Sequence, residues 1–125
     1  MIKKRTLILT YLVLFTFPVL AENNYFEVGK ETLADLIEIE STESAGLATR
    51  ASEYASEKLR AAGFDEDDLK IVGPTLTTQG LVATLQGRES DRPVIVMAHL
   101  DVVPSVTESW DTNPYQMVEK DGFLY

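Results

Sequence analysis

The apolar run PVIVMAHL, from Pro93 to Leu100, constrains the fold more than any other feature of the sequence. It is almost unbroken and rich in β-branched residues, which predicts a strand buried on both faces. Such a strand needs covering layers on both sides, and this favours an α/β architecture. A second apolar segment, Gly80 to Gln86, precedes it across the polar stretch GRESDR. We expect these two segments to be adjacent strands of one sheet.

Two helices are predicted before these strands. Leu33, Leu36 and Ile37 recur at helical spacing in a segment that we expect to end near Ser41, a turn or N-cap type of residue. The next helix is rich in alanine, which favours close packing, and Gly63 is well placed to end it. Its expected apolar face comprises Leu47, Ala51, Tyr54, Ala55, Leu59 and Ala62. The elements together predict an α/β fold, a mixed β-sheet flanked by helices.

Shorter elements complete this prediction. The acidic cluster Asp65–Asp68 lacks the alternation and the glycine of a calcium loop, so a solvated turn is favoured over a calcium site. Leu69 to Val72 suits a short strand, which Gly73 and Pro74 would end. A loop is expected from Pro104 to Pro114, followed by a strand over residues 116–120. Asp121 and Gly122 then predict a hairpin turn.

The first 21 residues, MIKKRTLILTYLVLFTFPVLA, have the pattern of a secretory signal peptide. Three basic residues precede an apolar run of 11 residues, Leu7 to Phe17, and small residues precede the expected cleavage after Ala21. We therefore expect residues 22–125 to form the exported part, either periplasmic or secreted. An uncleaved membrane anchor is the alternative, but the apolar run is short for a membrane span.

Composition excludes several functional classes. The formal net charge is −9, which argues against nucleic acid as a partner because such proteins need a basic face. No cysteine is present, which excludes a disulfide scaffold, a thiolate zinc site and a cysteine nucleophile. His99 is the single histidine, so any histidine chemistry of this chain occurs there.

His99 and Asp101 lie at the end of the expected buried strand, where sites form in open α/β sheets. Side chains two positions apart on a strand leave the same face. A histidine that binds a metal through one nitrogen usually donates its other N–H to a carboxylate, so Asp101 could orient His99. Taken alone, the pair also fits a hydrogen-bonded structural histidine followed by a turn aspartate.

The wider context favours the metal interpretation. The run VIVMAHLDVVP, then Trp110, then Asn113-Pro114-Tyr115 and DGFLY, resembles a family of zinc-dependent exopeptidases. That family includes aminoacylase, acetylornithine deacetylase, succinyl-diaminopimelate desuccinylase, glutamate carboxypeptidase and the aminoacyl tripeptidases. The helix that ends L-x-x-x-G-F, here Leu59 to Phe64, also resembles the family. The resemblance covers residues 26–125.

The resemblance implies a metallopeptidase or metal-dependent amidohydrolase with two zinc ions. His99 would be a zinc ligand, and Asp101 would be a catalytic residue that orients its ring. The other ligands and the general base would lie beyond Tyr125, so we expect this chain to be the N-terminal portion of a catalytic domain and to be inactive alone. The substrate would be a peptide or an N-acyl amino acid. Dimerisation is compatible with the family. No stable membrane anchor is expected. Trp110, Pro114 and Tyr115 are expected to pack the loop. The alternative is a small, exported, acidic binding domain without catalysis.

Overall fold

The computed structural model of the chain describes residues 25–88 and 92–125. The expected signal peptide, residues 1–21, lies outside the described residues. Within the described part, no helix has the length and apolar character needed to cross a membrane. The helices and strands are α1 (Tyr25–Glu38), α2 (Ala48–Ala61), β1 (Leu69–Val72), β2 (Gly80–Ala83), β3 (Glu119–Lys120) and β4 (Phe123–Leu124), with short 3-10 turns at Glu66–Asp68 and Thr107–Ser109.

The strands form two separate antiparallel pairs. In the first, Leu69 of β1 lies opposite Ala83 of β2. In the second, β3 and β4 form a hairpin that is closed by Asp121 (φ 54°) and Gly122 (φ 80°). A two-residue hairpin turn of type I′ requires positive φ at both central residues, so the expected turn is confirmed.

The expected pairing of the two apolar segments is wrong. β2 pairs with β1, and within the described residues the segment from Pro93 to Leu100 forms no strand. Its apolar side chains are open to solvent; Val94, Ile95, Val96 and Met97 are each more than 80% exposed. A cleft of about 700 Å³ separates residues 93–98 from the free edge of β2. Burial of a central strand depends on partners along both edges and on covering helices, and α2 covers β1 and β2 instead.

The described part is therefore an arrangement of two helices and small antiparallel sheets, compatible with a fragment of an α/β fold. The single mixed sheet expected from the sequence is not formed by the described residues. The short strand Leu69–Val72 and the two helices are confirmed. Within the described residues α1 extends from Tyr25, so it includes residues that precede the apolar stripe.

Helix α2 packs on the first sheet through a largely polar face. Ala51 is fully buried, but its buried neighbours on the helix are Thr49, Ser52 and Ser56. The Thr49 hydroxyl accepts the Gln79 N–H at 2.9 Å, and the Ser52 hydroxyl donates to the Gln79 carbonyl at 2.8 Å. The expected face is thus only partly correct. Since the main chain leading into β2 presents polar groups to α2, the hydroxyl residues beside Ala51 are buried, and the other residues of the expected apolar face are not.

Polar contacts connect helix α1 to α2 and to the hairpin. None of the residues of α1 is buried. The Tyr54 hydroxyl of α2 donates to Asp35 at 2.5 Å, and Lys58 lies 3.5 Å from the same carboxylate. Burial and, secondarily, this hydrogen bond raise the pKa of the Tyr54 hydroxyl. At the far side, Lys30 of α1 forms an ion pair with Glu119 of the hairpin.

Three residues of the acidic cluster, Glu66–Asp68, form a 3-10 turn in which no residue is buried, in agreement with the expected turn. The Arg60 guanidinium binds the Glu66 carboxylate at 2.6 and 2.9 Å, and this hydrogen-bonded pairing lowers the pKa of Glu66. No group of three potential metal ligands is present in the described ranges, this turn included.

Gly63 ends α2 in the way that the sequence predicts. Its φ of 100° suits glycine, the Gly63 N–H donates to Arg60 and the Phe64 N–H donates to Leu59. These two bonds form a Schellman motif, which satisfies carbonyls that the helix leaves without partners.

We expect Gly63→Ala to lower the free energy of unfolding by about 1–2 kcal/mol, because a Cβ is unfavourable at positive φ. Gly29→Ala is the matched control. Gly29 lies inside α1, where an added Cβ would meet nothing within 4 Å apart from the main chain of its own helix, so alanine should stabilise the helix there by about 1 kcal/mol. Urea denaturation of both variants measures this contrast. Equal effects at the two glycines would contradict the conformational explanation.

Candidate functional site around His99 and Asp101

A cleft of about 710 Å³ lies between the start of α2, the start of β2 and the segment that carries His99. Both residues predicted from the sequence, His99 and Asp101, line this cleft. The structure therefore places them on one cleft, together with residues of α2 and of the start of β2. The remaining lining residues are Glu43, Ala48, Ser52, Thr78, Gln79, Gly80, Leu81, Met97, Ala98 and Leu100.

The two side chains lie next to each other. His99 Nδ1 is 3.3 Å from Asp101 Oδ1, at the outer limit of hydrogen-bond distance. The His99 side chain is 78% exposed and the Asp101 side chain 64% exposed. With Nδ1 facing the carboxylate, Nε2 is the nitrogen left for another ligand. The two side chains approach each other although this segment is not a strand, so the strand geometry expected from the sequence is not what brings them together.

The main chain of the pair is anchored by Ser41, which is 1% exposed. The Ser41 hydroxyl donates to the Leu100 carbonyl at 2.8 Å, and the Val102 N–H donates to the Ser41 carbonyl at 3.3 Å. Sequence reasoning treated Ser41 only as a turn or capping residue. Its partners lie about 60 positions further along the chain, and no local pattern indicates such a contact.

The turn after Ser41 carries a second acidic group, that of Glu43, to the cleft. The Thr42 hydroxyl accepts the Ala45 N–H at 3.1 Å, and the Gly46 N–H donates to the Thr42 carbonyl at 3.1 Å. This fixed turn places Glu43 among the cleft residues, on the same cleft as Asp101. No lysine or arginine of the described ranges lines the cleft. Its charge therefore favours a cation over an anion.

The residues present fit part of a zinc site. Zinc binds imidazole nitrogen, and a carboxylate beside the other ring nitrogen is its usual companion. Tetrahedral zinc needs three or four protein ligands, and the described residues contain no group of three. His99 and Asp101 thus match one ligand and its orienting partner, and they do not form a complete site.

The loop after the pair lies apart from the cleft. The Tyr115 hydroxyl accepts the Ser105 N–H at 3.4 Å, and Asn113 Oδ1 accepts the Tyr115 N–H at 3.0 Å. Trp110 is 54% exposed. None of these residues lines the cleft, so the side chains that could reach a bound molecule there come from other segments.

Comparison with known proteins finds partial relatives. A stretch of 43 residues is 44% identical to the N-fatty-acyl-amino acid synthase/hydrolase of Bos taurus, covering 34% of this chain and 8% of that protein. The Homo sapiens protein of the same name is also 44% identical over 43 residues, with 34% and 9% covered. A stretch of 72 residues is 40% identical to the succinyl-diaminopimelate desuccinylase of Nitrosomonas europaea, covering 54% of this chain and 17% of that enzyme.

The chain thus matches only a small part of the length of these relatives. No family model matches the chain. No solved structure matches it either. The bacterial relative is one of the enzymes in the family that the sequence resembles. The partial relatives therefore point to the peptidase and amidohydrolase family, over short stretches and at modest identity.

Proposed function

We propose that this chain is the N-terminal portion of a zinc-dependent hydrolase of amide or peptide bonds, of the exopeptidase, carboxypeptidase or N-acyl amino acid deacylase type. The observation that carries the proposal is the contact between His99 and Asp101 on the cleft, within the run HLDVVP. The names of the partial relatives, a synthase/hydrolase of N-fatty-acyl-amino acids and a desuccinylase, support the same class of reaction.

Each residue has a distinct role in this proposal. His99 would hold one of two zinc ions through Nε2, because Nδ1 faces Asp101. The Nδ1–H of His99 would donate a hydrogen bond to the Asp101 carboxylate, which fixes the tautomer and the orientation of the ring. When bound, paired metal ions activate water near neutral pH and polarise the scissile carbonyl. The acidic lining that includes Glu43 would favour retention of cations at this cleft.

The rest of the site would come from a further part of the protein. The exposed apolar segment at residues 93–98 and the cleft between it and β2 support this proposal. Exposed apolar surface of this kind marks a place where another element packs. In the proposed full-length enzyme that element would complete the sheet, and the remaining ligands and the general base would lie on the same larger domain.

The proposed substrate is a peptide or an N-acyl amino acid, and the proposed compartment is outside the cytoplasm. The acidic composition supports a substrate other than nucleic acid. The basic, then apolar, then small-residue pattern of residues 1–21 supports export by a cleaved signal peptide.

His99→Ala in the full-length protein should remove one bound zinc ion and nearly all hydrolase activity, because the variant loses the imidazole ligand. Zinc content by atomic absorption and hydrolysis of N-acyl amino acids measure the two effects. Glu108→Gln, in the exposed 3-10 turn of the following loop, is the control and should leave both unchanged. Unchanged zinc content in His99→Ala would contradict the assignment of the ligand.

Asp101→Ala should weaken zinc binding by about 10- to 100-fold, the usual cost of removing a carboxylate that orients a ligating histidine. Competition with a chelator of known affinity measures this loss. Asp111→Ala removes an exposed carboxylate that does not line the cleft, and its zinc affinity should equal that of the parent. If Asp101→Ala also matches the parent, Asp101 is a turn residue without a role at the metal.

Export by the proposed signal peptide should give a mature protein that begins at Glu22. N-terminal sequencing of protein recovered outside the cytoplasm tests this. Ala21→Arg should block cleavage, since the residue before the cut must be small. A recovered protein that begins at Met1 would instead support the membrane-anchored alternative.

An acidic binding domain without catalysis is the second candidate, and the exposed apolar side chains from Val94 to Met97 favour it. The two candidates make different predictions for this chain alone. The binding domain should unfold cooperatively and bind its partner through that segment. The hydrolase portion should lack activity and should become more stable when the rest of the domain is present.

A further inference from the structure

The main chain around His99 has few attachments. Among the described residues, the main chain from Pro93 to Asp101 makes one hydrogen bond, which the Leu100 carbonyl accepts from the Ser41 hydroxyl. The next main-chain bond along the segment runs from the Val102 N–H to the Ser41 carbonyl. Ser41 therefore holds the peptide groups on either side of Asp101.

These two bonds have the geometry of a parallel β-bridge with one substitution. In such a bridge one residue donates its N–H to the residue before its partner and accepts from the residue after it. Ser41 accepts from Val102 in this way, but its own N–H donates to the Ile39 carbonyl at 2.6 Å. The Ser41 hydroxyl takes the place of the engaged N–H and donates to Leu100.

The position of the bridge matters for the pair. Leu100 lies between His99 and Asp101, and its carbonyl is fixed by a hydroxyl that is buried from solvent. Fixing the peptide groups before and after Asp101 limits rotation of the main chain at that residue. Both side chains are mostly exposed, so no surrounding packing sets their direction. The main chain must therefore set it.

We propose that Ser41 is a positioning residue, whose hydroxyl holds the main chain so that the His99 imidazole and the Asp101 carboxylate face each other on the cleft. This inference rests on the proposed function in one respect, the binding of zinc by His99 with Asp101 beside it. The bridge itself is independent of that purpose, and the two can be tested separately.

The first test uses the 125-residue chain. Ser41→Ala should increase the hydrogen-exchange rate of the Val102 amide, beyond any increase in global exchange, by about 2- to 13-fold. This factor corresponds to the loss of one hydrogen bond. Ser52→Ala is the matched control, because Ser52 is equally buried and also donates at 2.8 Å to a main-chain carbonyl, that of Gln79. It should leave the Val102 amide unchanged relative to global exchange. Equal behaviour of the two variants at Val102 would overturn the proposal.

A second pair of variants guards against loss of folding. Ser41→Thr and Ser41→Val have nearly the same shape, and only threonine keeps the hydroxyl. Slow exchange at Val102 in Ser41→Thr and fast exchange in Ser41→Val would support the proposal even if Ser41→Ala does not fold. Equal exchange in the two would overturn it.

The last measurement links Ser41 to the metal. Zinc binding by the full-length protein, measured by chelator competition, should be weaker in Ser41→Val than in Ser41→Thr. If the parent binds zinc through His99 and the two variants bind zinc with equal affinity, the positioning role is overturned. If the parent binds no zinc while the exchange contrast holds, the proposed hydrolase function fails and the bridge to Leu100 is retained.

Discussion

Hydroxyl groups bound to the main chain hold the separate elements of this chain together. Thr49 and Ser52 of α2 bind the main-chain N–H and the main-chain carbonyl of Gln79. Ser41 binds the main chain on both sides of Asp101. Within the described ranges, the only apolar side chains that are buried are Ala51 and Leu69. Each such hydrogen bond contributes about 0.5–1.5 kcal/mol net, but leaving a buried partner unsatisfied costs more. The arrangement of helix, sheet and His99 segment therefore depends on these bonds being made.

The same bonds create the cleft. Ser52 and Gln79 join α2 to the start of β2 on one side, and Ser41 holds the His99 segment on the other. The space between these two attachments is the cleft on which His99, Asp101 and Glu43 lie. A polar interface has a further consequence here: it fixes the direction of main-chain groups, which apolar packing alone does not do.

Local signals in the sequence were reliable where a single turn of chain decides the structure. Gly63 ends α2 because positive φ is open to glycine, and Asp121-Gly122 forms the hairpin turn for a related reason. The prediction failed for Pro93–Leu100, whose apolar run indicated a buried strand beside β2. An apolar pattern indicates which side chains are stabilised by burial, but it does not indicate which element covers them. The apolar face expected for α2 failed in part for the same reason, since the neighbouring main chain made buried hydroxyls favourable.

The sequence by itself determined the two helices, the end of α2 at Gly63, the hairpin turn and the two-residue spacing of His99 and Asp101. Each of these follows from dihedral preferences and side-chain direction within a few residues. Only the tertiary structure decided that Ser41 anchors this pair, and that Glu43 joins it on one cleft. The physical reason is that hydrogen bonds between distant peptide groups depend on how whole elements dock. A serine in a turn has the same local sequence signature whether its hydroxyl faces water or a carbonyl about 60 residues away.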